Sequence, residues 1–173
     1  MRKKILPLIL ISFIGFHSFG QNNEVKFNIV SAIAGYPELT YEKIIDDNIS
    51  IGASAAVSVE KAEDMLSRYS LTPYSRLYFG KKKSNGFFVE ANMTLKGQRD
   101  LYYYGILDSS YNVVGTAKND KRSTSFGFGA AIGVKLLTKK SAFAEIFAGG
   151  GRLFGSPIID GYFRGGITIG FRF

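Results

Sequence analysis

Apolar and polar residues alternate along most of this chain with a period of two, the mark of strands whose two faces meet different surroundings. The alternation is clearest in 48–60. There Ile49, Ile51, Ala53, Ala55, Val57 and Val59 point one way, and Ser50, Gly52, Ser54, Ala56, Ser58 and Glu60 point the other. In 86–98, Phe87, Val89, Ala91, Met93 and Leu95 stand opposite Phe88, Glu90, Asn92, Thr94 and Lys96. In 123–137, Phe126, Phe128, Ala130, Ile132, Val134 and Leu136 alternate with Ser125, Gly127, Gly129, Ala131, Gly133 and Lys135. The last stretch sets Phe163, Ile167, Ile169, Phe171 and Phe173 against Tyr162, Arg164, Thr168 and Arg172. Weaker runs at 24–34, 38–45, 68–80 and 141–154 complete a set of eight predicted strands. Most reach the roughly 9–11 residues that a tilted strand needs to cross a bilayer, against about 5–6 in soluble domains.

The links carry independent information. Those near Asp46-Asp47, 81–85 and 138–140 are short and polar, whereas 61–67, 99–121 and 152–160 are longer or more variable. Alternating short and long links are expected when one end of a barrel faces the periplasm and the other the outside. The tight Gly35-Tyr36-Pro37 turn is the exception, a very short link on the outer side. Pro73 removes a ladder hydrogen bond, and a bulge is expected at Thr72-Pro73-Tyr74.

Residues 1–20 read as a secretion signal. Arg2, Lys3 and Lys4 precede an apolar run from Ile5 to Ile14, and Ser18 and Gly20 stand three and one before a cut that leaves Gln21 first. The run is too short to be a membrane anchor, and no later segment is apolar enough for a membrane helix. Residues 21–173 are then expected to form one β-barrel domain.

Periodicity alone does not say which face is wet. A soluble barrel turns its apolar face inward, and a membrane barrel turns it to lipid. The polar face carries Glu42, Arg76, Glu90, Glu145, Arg164 and Arg172, interspersed with Gly52, Gly127, Gly129, Gly133, Gly166 and Gly170. Long charged residues beside glycines suit the narrow lumen of an eight-stranded barrel, which has room only for its own side chains. These six charges are expected to pair there as a lumen network, because unpaired charge in a dry interior costs several kcal/mol.

The chain finishes on Gly161-Tyr162-Phe163-Arg164-Gly165-Gly166-Ile167-Thr168-Ile169-Gly170-Phe171-Arg172-Phe173. In this alternating last strand with a terminal aromatic, it resembles the small outer-membrane β-barrel family of the eight-stranded OmpA/OmpX type. The resemblance implies an all-β fold, an eight-stranded antiparallel up-and-down transmembrane barrel. It also implies an assembly signal at Ile167, Ile169, Phe171 and Phe173, read by the barrel-assembly machinery. Outer-membrane lipid and lipopolysaccharide are the implied surroundings, and a monomer the implied state. The periplasmic peptidoglycan-binding domain of OmpA itself is not expected.

Composition narrows the chemistry. There are 20 glycines, 15 phenylalanines and 10 tyrosines, with no cysteine and no tryptophan. The only histidine, His17, lies in the expected signal. Residues 21–173 therefore hold no Ser-His or Cys-His pair and no imidazole or thiolate zinc ligand, so neither enzyme activity nor a metal or other cofactor is expected. Glu90 and Glu145 are the only acid/base pair worth weighing, and lumen pairing with Arg76 or Arg164 is the simpler role. The glycine runs at 127–129 and 149–151 lack the helix and lysine of a phosphate loop, and Asp46-Asp47-Asn48 is a turn before it is a calcium site. Net charge is +8; without Arg2, Lys3 and Lys4 the excess is +5, scattered along the chain and unlike a nucleic-acid footprint.

The segment 99–121 reads as a hairpin reaching beyond the membrane, with Tyr102, Tyr103, Tyr104 and Tyr111 as a candidate surface-interaction set for an extracellular partner. Tyr102–Tyr104 equally suit an aromatic belt at the interface. The expected role is structural or surface-interacting, adhesion through 99–121 included. The alternatives are a narrow pore for small solutes and a secreted soluble lipocalin-like barrel. Lipocalins usually carry a Gly-x-Trp signature, which a chain without tryptophan lacks.

Overall fold

Alternation becomes geometry in the computed structural model. It describes residues 22–59, 67–107, 113–138, 141–155 and 159–173 and, for most of 100–121, the backbone alone. Eight strands follow in chain order: β1 (Asn23–Asn28), β2 (Glu38–Ile44), β3 (Ile49–Val57), β4 (Ser67–Tyr78), β5 (Gly86–Leu107), β6 (Val113–Leu137), β7 (Ala142–Phe154) and β8 (Gly161–Arg172). Each pairs antiparallel with the next, and β1 pairs with β8, so the sheet closes into a barrel. Closure runs from Glu24↔Arg172 to Asn28↔Thr168, and reciprocal bonds between Asn23 and Phe173 join the two ends of the chain's described part.

The two faces sort as the pattern predicts. Arg76 and Glu90 point into the barrel with 3% and 0% of their surface exposed, whereas Ile51, Val89 and Ile169 stand on its outer wall at 49%, 39% and 50%. The barrel is thus apolar outside and charged inside, the reverse of a water-soluble barrel.

Glycine serves this interior by leaving room for rings. A Cβ on Gly133 would lie 2.5 Å from the Phe88 ring, and one on Gly170 would lie 2.4 Å from the Phe143 ring. Tyr78, Phe88, Ala131 and Phe147 form a small apolar cluster within the lumen.

Three expectations change. The predicted strand 24–34 ends at Asn28, and Ile29–Ile33 form a short helix, α1. The Asn28 side chain caps it by accepting from the Ser31 N–H at 3.2 Å, a local bond that competes with strand continuation. The first outer link is therefore 29–37 and not a tight turn at Gly35-Tyr36-Pro37. No register shift occurs at Pro73. The β4–β5 ladder is interrupted there but resumes in the same register from Leu71↔Leu95 to Tyr74↔Asn92, and the bulge lies between Ser67 and Tyr69. The hairpin expected within 99–121 is present as the paired outer ends of β5 and β6. β5 and β6 pair out to Leu107↔Val113, while their outer neighbours stop at Ser67↔Gln98 and Phe126↔Phe154. A two-stranded ribbon thus projects about 30 Å past the rim, at roughly 3.3 Å per residue.

Candidate functional site: the lumen ion network

Inward-facing positions of seven strands bring ten buried charges together. The cations are Lys26, Arg76, Lys135, Arg164 and Arg172, and the carboxylates are Glu24, Glu38, Glu42, Glu90 and Glu145, so the signs balance. Each carboxylate meets at least one cation. Lys26 Nζ lies 2.6 Å from Glu145 and also donates to Glu42. Lys135 Nζ reaches Glu24 at 2.7 Å and both Glu42 and Glu145 at 3.2 Å. Arg76 bonds Glu90 at 2.9 Å through Nε and Glu145 at 3.0 Å through Nη1. Arg164 joins Glu90 and Glu38, each at 2.8 Å, and Ser54 at 3.0 Å.

Aromatic rings complete the packing. The Tyr74 and Tyr78 hydroxyls donate to Glu42 at 2.6 and 2.7 Å. The Arg76 guanidinium sits 4.1 Å from the Phe88 ring centre and 4.6 Å from that of Tyr74, within cation–π range. Lys135 lies 4.6 Å from the Tyr78 ring centre. Buried charge is tolerated only when its remaining donors and acceptors are satisfied, and here neighbouring strands supply them.

All six charges singled out in the sequence lie in this network. Sequence reasoning missed Lys26, Glu24, Glu38 and Lys135 as members. The signal for the first two was present, since Glu24, Lys26 and Asn28 alternate with Val25 and Phe27. Carboxylate oxygens of Glu24, Glu42 and Glu145 come within 4.8 Å of one another, a spacing that would suit a metal ion. The ammonium groups of Lys26 and Lys135 already lie among them, each within 3.5 Å of all three carboxylates, and they oppose a further cation. Glu90 and Glu145 are each held by arginine, leaving neither as a free acid/base group.

Ile167, Ile169 and Phe171 line the outer face of β8, and Phe173 follows it, bonded to Asn23. The backbone of Tyr102, Tyr103 and Tyr104 belongs to β5, opposite Asn119, Lys118 and Ala117. Tyr111 lies outside the described residues.

No family model matches the chain, and no curated protein matches it. Among solved structures, the chain is similar to the N-terminal β-barrel domain of Pseudomonas aeruginosa OprF, with a TM-score of 0.50 and 14% identity over 88% of this chain and 96% of that one. That likeness concerns the fold: both are β-barrels.

Proposed function

We propose that this protein is a non-catalytic, monomeric outer-membrane β-barrel, delivered by a cleaved signal at 1–20. Its filled lumen serves as a structural pin, and the β5–β6 ribbon serves as its surface-interaction element. The observation that carries this reading is the orientation of the two faces: Ile51, Val89 and Ile169 outside, Arg76 and Glu90 inside. An aliphatic outer wall is stable against lipid tails and costly against water. Strands β3, β4, β7 and β8 run 9, 12, 13 and 12 residues, enough for tilted spans of about 9–11. Ile167, Ile169, Phe171 and Phe173 are read as the assembly signal on the last strand. The OprF domain is an N-terminal β-barrel, and the shared fold supports the same class.

Membrane fractionation combined with heat-modifiable gel mobility tests the reading. The protein is expected in the outer-membrane fraction, with different mobility before and after boiling. Solubility in buffer without detergent, and no mobility shift, would overturn it. Removing 101–114 from the folded barrel tests the ribbon. Loss of binding to cells, matrix or sister barrels supports surface interaction, and unchanged binding ends it.

A solute pore is the weaker reading, because the ion network crosses the lumen between the opposite strands β6 and β2 through Lys135 and Glu42. Planar-bilayer recordings are expected to be silent.

A further inference from the structure

The seam between the first and last strands is incomplete. The β1–β8 ladder stops at Asn28↔Thr168, yet β8 continues to Gly161, and its outer half pairs only with β7. Where β1 would have continued, α1 lies instead. Two cavities meet at this gap. One, of about 350 Å³, lies on the lumen side at the outer end of the ion network, lined by Lys96, Tyr36 and Ser70 and by Glu38 and Arg164, which pair with each other at 2.8 Å. The other, of about 460 Å³, is a groove on the outer wall bordered by Phe87, Ile132, Ile146 and Ile167. Val30, Phe163 and Gly165 line both. These volumes fall within or near the range of small-molecule sites, roughly 300–1,000 Å³.

Charge assigns the occupant. The ten buried charges cancel among themselves, but Lys96 does not belong to them, and among the described residues no carboxylate pairs with it. A half-buried lysine without a counterion, lining a cavity of mixed polarity that adjoins an apolar groove, matches a ligand with one anionic end and one long apolar end. We propose that the gap between α1 and β8 is a binding site for a single-chain anionic amphiphile, its carboxylate or phosphate on Lys96 and its acyl chain passing Val30 and Phe163 into the outer groove. The inference rests on the outer-membrane reading, because only a lipid-embedded wall offers the chain an apolar surrounding beyond the groove.

Purified full-length barrel in a neutral detergent, mixed with palmitate, 1-palmitoyl-lysophosphatidate or hexadecanol and followed by native mass spectrometry, tests it. Palmitate distinguishes a free fatty acid from a lipid phosphate as the source. At least one of the two anions should bind one per barrel, and hexadecanol should bind distinctly more weakly. Lys96→Gln should weaken the anion by about tenfold or more, the loss of a charged hydrogen-bonding partner, while leaving hexadecanol unchanged. Val30→Trp, or Val30→Phe if the larger ring prevents folding, should weaken all three by obstructing the gap. Heat-modifiable mobility of each variant reports that the barrel is intact. Equal binding of palmitate, lysophosphatidate and hexadecanol, an unaffected Lys96→Gln variant, or no anion bound to a heat-shifting barrel overturns the site and leaves the outer-membrane reading standing. A dimer mass without bound amphiphile gives the groove to a second copy and overturns it too. Absence of the heat shift in the unaltered protein sinks the outer-membrane reading instead.

Discussion

Arg172 in β8 donates two hydrogen bonds, of 2.9 and 2.6 Å, to a single oxygen of Glu24 in β1, and the two residues are ladder partners across the barrel's closing seam. Arg172 also donates to the main-chain oxygens of Lys83 and Ser84 at 3.0 Å, which ties the β4–β5 turn to the seam. Glu24→Gln is therefore expected to lower the urea midpoint of the detergent-solubilised barrel by the equivalent of about 2–4 kcal/mol, since it leaves Arg172 and Lys135 without their shared counterion. An unchanged midpoint would show that the seam is held by the backbone ladder alone.

Glu42 accepts from Lys26, Lys135, Tyr74 and Tyr78. Glu42→Gln should cost about 3–5 kcal/mol, as one positive charge is then uncompensated in the interior. Adding Lys135→Met restores neutrality, so the double variant should be less destabilised than the sum of its parts. Equilibrium unfolding of all four proteins measures the coupling, and strict additivity would argue that the network acts as independent pairs.

On the outer wall, Ile132 is 56% exposed. Ile132→Arg should destabilise the barrel in lipid vesicles by about 2–4 kcal/mol, the cost of a cation near the bilayer midplane. A water-exposed position would tolerate the change within about 0.5 kcal/mol. The reversible unfolding energy in vesicles separates the two.

Gly97 pairs with Tyr69, and a Cβ at Gly97 would lie 2.2–2.6 Å from three atoms of that ring. Gly97→Ala should cost about 1–3 kcal/mol through overpacking. In a Tyr69→Ser background the same change should cost under about 0.5 kcal/mol, because the obstructing ring is gone. Equal penalties in both backgrounds would place the strain in the backbone.

Beyond Gln98 the two strands of the β5–β6 ribbon pair, among the described residues, only with each other. Amide hydrogens of 101–107 should exchange much faster than those of 87–95, which are sheltered by strands on both sides. Exchange mass spectrometry resolving these two peptides decides it. Uniform protection would mean that a further surface covers the ribbon.

The barrel was legible because its signal is local. Every other residue from Ile49 to Val57 declares a side, and the same holds for Phe126 to Leu136. The helix at 29–33 was not, because Ile29, Val30 and Ile33 suit a strand equally well. What decides it is the Asn28 cap and the backbone facing it: Gly166 has φ of +154°, and a Cβ there would lie 2.3 Å from the Asn28 side chain. That constraint lies 138 positions further along the chain and leaves no trace in the local pattern. The ion network was half legible for the same reason. Glu42 and Arg76 show which way they face, but their choice of Lys26 and Glu145 as partners depends on the register of strands far apart in sequence.

The balance of charge across the closing seam also bears on the order of assembly. In an open eight-stranded sheet, Glu24 at one margin and Arg172 at the other lack each other, and Lys26 keeps Glu42 on the neighbouring strand but not Glu145. The final zipping of first strand to last is thus also the moment when these ions meet their remaining partners. An unclosed sheet entering lipid would carry Glu24 and Arg172 unmatched, at a cost that the finished seam removes.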